Sequence, residues 1–166
     1  MKKIIVIGCP GSGKSTFSKT LHTKTNIPLY HLDMLYWNAD RTIVDKTIFY
    51  EKQFSIIQTD EWIIDGNYGS TMELRIQSCD TIFFLDYPLE ICLDGIKERR
   101  GKPRSDMPWQ EKSDEEDFEF LDFVKNYNLK NRPQVIELLD RYSDKKIMFS
   151  KTETKQKNFC REYNFF

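Results

Sequence analysis

Gly8-Cys9-Pro10-Gly11-Ser12-Gly13-Lys14-Ser15-Thr16 follows directly on the β-branched run Ile4-Ile5-Val6-Ile7 and precedes a segment that reads as a helix from about Ser15. The stretch carries the complete spacing G-x-x-x-x-G-K-[ST], in the strand-then-helix setting where that spacing makes a phosphate-binding loop. The residue types follow from the chemistry. Backbone N–H groups must wrap a phosphate chain closely, and Gly8, Gly11 and Gly13 supply unusual dihedrals and no obstructing side chain. Pro10, Ser12 and Thr16 complete the loop. Lys14 is placed to reach the β- and γ-phosphates and Ser15 to ligate Mg²⁺ through its hydroxyl, with the positive end of the following helix beneath the phosphates.

Outward from the loop, short apolar runs predict strands at residues 28–32, 62–65, 81–86 and 146–149. Longer segments between and after them predict helices at 45–58, 89–100, 133–142 and 152–164. Ser113-Asp114-Glu115-Glu116 has the form of a capping box, with Phe118, Leu121, Phe123 and Val124 as the apolar face behind it. Strands alternating with helices give an α/β fold, a parallel sheet covered on both faces that takes ligands at the carboxyl ends of its strands.

The 166 residues fit one domain spanning 1–166, and 39% apolar residues with 14% aromatic suffice for its core. Lys and Arg number 25 against 26 Asp and Glu, so no global positive field draws the chain onto a nucleic-acid backbone. Cys9, Cys79, Cys92 and Cys160 form no C-x-x-C pair, which excludes a zinc knuckle and suits the thiols of a reducing cytosol. After Met1-Lys2-Lys3 the apolar run covers only Ile4 to Ile7, shorter than a signal-peptide core or a membrane span, and the expected location is the cytoplasm. Oligomeric state leaves no trace in the sequence.

The phosphate loop, His31-Leu32-Asp33-Met34-Leu35-Tyr36-Trp37, Trp62-Ile63-Ile64-Asp65-Gly66-Asn67-Tyr68, the run from Thr81 to Pro88 and the Arg-rich stretch from Arg99 to Asp106 occur in an order that resembles the adenylate-kinase-type P-loop kinases. Within these the chain is most similar to the small bacterial topology modulation proteins. The resemblance implies a three-layer P-loop NTPase fold with a five-stranded parallel sheet, ATP over the phosphate loop, a small-molecule phosphoryl acceptor across from it, and a mobile lid. Asp65-Gly66 resembles the start of the D-G-F-P-R block of nucleoside monophosphate kinases, which makes Asp65 a candidate to order the waters of Mg²⁺. Asn67-Tyr68 stands where that block has Phe-Pro-Arg, so the phosphate-gripping Arg is missing; Arg41 and Arg75 are the candidate substitutes. The resemblance also puts residues 150–153 against the adenine.

Asp33 stands where P-loop kinases of hydroxyl acceptors resemble this chain in carrying a substrate-binding Asp, and a carboxylate there could orient a hydroxyl and take its proton. It reads equally as a helix N-cap. His31 reads as a packed or hydrogen-bonded ring. Tyr36, Trp37, Trp62 and Tyr68 suit either core packing or stacking on an acceptor. Asp86 ends the run Ile82-Phe83-Phe84-Leu85 as a second metal candidate or as a solvated strand end.

A lid is expected at residues 99–112, with Arg99, Arg100 and Arg104 beside the helix-breaking Gly101 and Pro103. Such cations suit the charge that spreads over a phosphoryl group in transfer. Two functions compete: a kinase of a nucleoside, nucleotide or other small hydroxyl acceptor, and a nucleotide-dependent regulator that binds DNA or protein. A GTPase switch is disfavoured because no N-K-x-D block follows a strand.

Overall fold

The structure is a computed structural model that describes residues 1–109 and 117–151. Strands β1 (Lys3–Gly8), β2 (Leu29–His31), β3 (Trp62–Asp65), β4 (Thr81–Leu85) and β5 (Lys146–Ser150) form one sheet in the order β2-β3-β1-β4-β5, every neighbouring pair parallel. Parallel neighbours need crossover connections. Here helices supply them: α1 (Lys14–Thr25), α2 (Leu32–Tyr36), α3 (Lys46–Ile57), α4 (Gly69–Ser78), α5 (Leu89–Arg99), α6 (Phe118–Lys130) and α7 (Arg132–Arg141).

Alternation along the strands divides the core in two. Ile4 and Val6 of β1 pack with Ile63, Phe83 and the apolar faces of α1, α5 and α6, including Phe17, Ile96 and Val124. Ile5 and Ile7 point the other way, onto Ile64, Phe84 and the faces of α3, α4 and α7, including Phe49, Ile76 and Leu139. The result is a helix–sheet–helix sandwich whose central strands carry near-continuous apolar runs because neither face meets water.

The strands fall within two residues of their expected ends, and the helices expected at 45–58, 89–100 and 133–142 are α3, α5 and α7. The apolar face expected for α6 needs correction. Phe118 and Phe123 are exposed, whereas Phe120, Leu121, Val124 and Tyr127 pack on the sheet, because the stripe at i, i+4 and i+7 starts at Phe120. Asp117 caps this helix by accepting from the Phe120 N–H at 2.8 Å. The Ser113–Glu116 capping box and the 152–164 helix lie outside the described residues.

One close approach fixes the phosphate loop on the body of the fold. A Cβ at Gly95 of α5 would meet the Gly11 carbonyl oxygen at 2.2 Å, and one at Gly11 would meet the Cys92 carbonyl oxygen at 1.9 Å. Gly11 also holds φ at 83°, a left-handed conformation suited to glycine. Ala is ordinarily better than Gly inside a helix by about 1 kcal/mol. At Gly95 the sign should reverse, since overpacking costs about 1–3 kcal/mol and the obstructing atom is backbone. Gly95→Ala is therefore expected to lower the urea midpoint, and a midpoint raised above wild type would show that the loop is not seated on α5.

Candidate functional site

The carboxyl ends of β1, β2 and β3 open into a cavity of about 770 Å³. Pro10, Lys14 and Ser15 of the phosphate loop form one wall, and Asp33 and Asp65 form another. Arg99, Arg100 and Arg104 line it from the far side, so the expected lysine, hydroxyl, carboxylates and arginines come together in one space. The exception is Asp86. It is absent from the lining, and both its oxygens are held by Arg132, Nε at 2.6 Å and Nη2 at 2.7 Å. This bidentate pair ties α7 to the end of β4.

The loop takes the shape its sequence dictates. Gly8, Gly11 and Gly13 all have positive φ, and Gly13 leads into α1, whose first-turn N–H groups have no partners within the helix and so face the loop. Ser12 is buried with its hydroxyl unpartnered, whereas Thr16 is exposed and does not line the cavity. The Lys14 ammonium turns back on the loop, donating to the carbonyls of Gly8 at 3.0 Å and Cys9 at 3.1 Å. Burial lowers its pKa, opposed chiefly by the negative charge of Asp65. It is the cation that a phosphate entering the loop would draw off those carbonyls.

Asp65 is buried and accepts from His31 Nδ1 at 2.9 Å through Oδ2, so His31 is a hydrogen-bonded ring as its setting in the sequence suggests. The other oxygen of Asp65 is left for a water of a hard cation. A Ser15 hydroxyl, a carboxylate and incoming phosphate oxygens are the all-oxygen donors that Mg²⁺ takes while keeping several waters. The residues present fit that ion. Among the described residues no cluster of three or more His, Cys, Asp or Glu offers a cage made by protein alone.

Asp33 accepts from the Tyr68 hydroxyl at 2.6 Å. Burial raises its pKa above the usual carboxylate range, against the lowering effect of the Tyr68 bond. Asp33 falls inside the short helix α2, one residue past its start, and the N-cap position goes to His31. The aromatic residues divide. Trp37 and Tyr68 line the cavity, Tyr36 packs edge-on against Trp37 and Phe49, and Trp62 is wholly buried in the core.

Arg41, a candidate from the sequence, lines the cavity, and so do Trp109 and Asn67, whose roles were not legible. Trp109 meets Trp37 with ring centroids 6.4 Å apart, and the Arg41 guanidinium lies 4.7 Å from the Trp109 ring centre. Asn67 pairs with Gly8 through both ends of its carboxamide: Gly8 N–H donates to Oδ1 at 3.0 Å, and Nδ2 donates to the Gly8 carbonyl at 2.8 Å. The β1–β3 register ends at Val6 and Asp65, so this side chain adds a further rung where the backbone of β3 has turned away. Arg75, the other candidate for the missing phosphate-gripping arginine, is fully buried on main-chain carbonyls and is not part of the cavity wall.

The described part of the expected lid, residues 99–109, carries a side-chain ion pair of its own. Arg104 grips Asp106 with Nε at 3.1 Å and Nη2 at 3.0 Å. Asp106 is buried; burial alone would raise its pKa, but Arg104 and the Ser15 hydroxyl outweigh it and hold the carboxyl well below its usual range. Residues 110–112 lie outside the described residues.

No protein-family model and no curated protein matches the sequence. Solved structures match in fold. Shikimate kinase from Acinetobacter baumannii in complex with shikimate gives a TM-score of 0.62 at 11% identity, over 99% of this chain and 94% of that one. Shikimate kinase from Bacteroides thetaiotaomicron gives 0.54 at 15% identity over 97% of both chains. Deoxyadenosine kinase from M. mycoides with bound dATP gives 0.53 at 16% identity, over 99% of this chain and all of that one. The chain therefore has the P-loop kinase fold.

Asp106→Asn removes a charge-assisted pair of the kind worth about 1.5–3 kcal/mol locally. It should leave the global unfolding midpoint nearly unchanged while speeding proteolytic cleavage within residues 100–109 about tenfold or more. Cleavage at the wild-type rate would show that the Arg104–Asp106 pair does not hold this segment.

Proposed function

We propose that the protein transfers the γ-phosphoryl group of ATP to a hydroxyl of a small acceptor, a nucleoside or nucleotide being the class that its resemblance to the adenylate-kinase-type kinases suggests. The observation that carries this reading is the convergence, in one cavity, of Lys14 and Ser15 with Asp33 and with Arg99, Arg100 and Arg104. A binding module has no need of a half-buried carboxylate sharing a cavity of about 770 Å³ with a phosphate loop. The likeness to shikimate and deoxyadenosine kinases supports the fold that this chemistry uses.

In this reading the loop N–H groups and Lys14 bind the phosphate chain, and the Ser15 hydroxyl, with Asp65 ordering its waters, would hold Mg²⁺, which would supply charge neutralisation. Asp33 accepts a hydrogen bond from the acceptor hydroxyl through the oxygen that Tyr68 does not occupy, and takes its proton as the new P–O bond forms and the bond from the γ-phosphorus to the bridging oxygen breaks, releasing ADP. Arg99, Arg100 and Arg104 stabilise the charge on the moving group. Trp37, Tyr68 and Trp109 exclude water from the acceptor end.

Membership among the topology modulation proteins belongs to the same proposal, as does a cytoplasmic setting, which suits the free and buried Cys9, Cys79 and Cys92. No helix of the described residues is long and apolar enough to cross a membrane.

The test is incubation with γ-labelled ATP, Mg²⁺ and a panel of nucleosides, nucleoside monophosphates and hydroxy acids. One acceptor should become labelled over many turnovers. With that acceptor, Asp33→Asn should cut kcat by about 10²–10⁴-fold with little change in the KM for ATP. Wild-type kcat/KM should fall as pH drops through the Asp33 pKa, which burial places above the ordinary carboxylate range. Full activity of Asp33→Asn would remove Asp33 from the chemistry, and absence of transfer to every acceptor would remove the kinase reading.

A further inference from the structure

Arg75 of α4 is wholly buried, and the reaction outlined above gives it no task. Its guanidinium spends its donors on main-chain carbonyls: Nη1 to Gly66 at 2.8 Å, Nη2 to Asn67 and to Tyr68 at 3.2 Å, and Nε to Thr71 at 3.3 Å. Burying a cation on neutral acceptors is costly, and burial brings the Arg75 pKa down to about 9. Three of these carbonyls are consecutive. They belong to the turn from β3 into α4, where Gly66 has φ of 130° and Tyr68, although not a glycine, has φ of 40°. A non-glycine residue in that region is strained and persists only where its surroundings hold it.

The two side chains after Gly66 leave this turn in different directions. Asn67 adds the extra rung to Gly8 at the start of the phosphate loop, and Tyr68 donates to Asp33 at 2.6 Å. The Gly8 carbonyl is shared between Asn67 and Lys14, so Asn67 keeps it satisfied when Lys14 departs for a phosphate. We propose that Arg75 is a positioning residue for both halves of the site: by fixing residues 66–68 it holds the Asn67 carboxamide on the phosphate loop and the Tyr68 hydroxyl on Asp33. The phosphate loop and the acceptor carboxylate thus keep one relative placement before either ligand arrives. This rests on the phosphotransferase reading for its purpose, and on the hydrogen bonds alone for its mechanics.

The experiment compares wild type with Asn67→Ala, Tyr68→Phe and Arg75→Lys. Each protein gives two readouts: the Kd for Mg²⁺ with AMP-PNP by calorimetry, and the titration midpoint of the Asp33 carboxyl by ¹³C NMR without ligand. Asn67→Ala loses two hydrogen bonds to the loop and should weaken AMP-PNP about fivefold or more, leaving the Asp33 midpoint in place. Tyr68→Phe removes a donor that favours the charged form, so the Asp33 midpoint should rise while the Kd stays within about twofold. The other groups acting on Asp33, namely Asp65, Lys14 and Arg104, are unaltered in that variant. Lysine cannot reproduce the planar fork over consecutive carbonyls, and Arg75→Lys should move both readouts together. Wild-type Kd in Asn67→Ala, a wild-type midpoint in Tyr68→Phe, or a folded Arg75→Lys that moves neither would overturn the proposal. If Arg75→Lys does not fold, the two single-arm variants decide it by the same criteria. Phosphoryl transfer enters neither readout, so failure to find an acceptor is a separate result.

Discussion

Strand β1 lies between β3 and β4 with both faces buried, and that placement governs the site. A strand that alternates Ile4 and Val6 into one core and Ile5 and Ile7 into the other cannot slip by one residue without inverting both sets. Its end at Gly8 is therefore fixed in depth, and the phosphate loop starts from a point set by the whole core. On one side Gly8 still pairs with Leu85 of β4; on the other, the Asn67 carboxamide replaces the strand that has turned away. The loop is anchored on both flanks, and α5 supports it from beneath through Gly95.

The chemistry is assembled by opposing charges in a confined space. Lys14 sits where Asp65 and Asp33 both favour its charged form, against the burial that disfavours it. Asp33 meets the reverse balance, with burial and Asp65 raising its pKa and Tyr68, Lys14 and Arg104 lowering it. Opposed influences of this kind on two groups in one cavity are what the proposed proton and phosphoryl transfer would use. Left-handed backbone at Arg41 and Tyr68, both lining the cavity, follows the tendency of strained residues to gather where geometry matters more than stability.

The parts written in short-range patterns were legible. β1, β3 and β4 announce themselves as apolar runs, and the phosphate loop through its glycines and Lys14. Helix α4 did not, because its buried face includes Thr71 and Arg75 beside Met72 and Ile76, and a buried cation breaks the apolar period. Arg75 was a candidate because the family's phosphate-gripping arginine is missing, whereas its partners are carbonyls of its own turn. Asp86 looked like a metal residue because strand ends of this fold carry such carboxylates; its partner Arg132 lies 46 residues away, beyond any local pattern. Asn67 marked the absence of a family arginine, but a carboxamide mimicking a strand rung has no sequence signature.

In the proposed reaction a phosphate chain displaces Lys14 from its own loop and brings a terminal phosphate before Asp33. A crystal structure with Mg²⁺ and AMP-PNP tests it most directly. That complex should show Lys14 Nζ withdrawn from the Gly8 and Cys9 carbonyls onto the terminal phosphate, the Ser15 hydroxyl on the metal, and Asp33 facing the terminal phosphate across the acceptor space. Phosphates bound outside the loop of residues 8–16, or Lys14 still held by those two carbonyls in the complex, would contradict it.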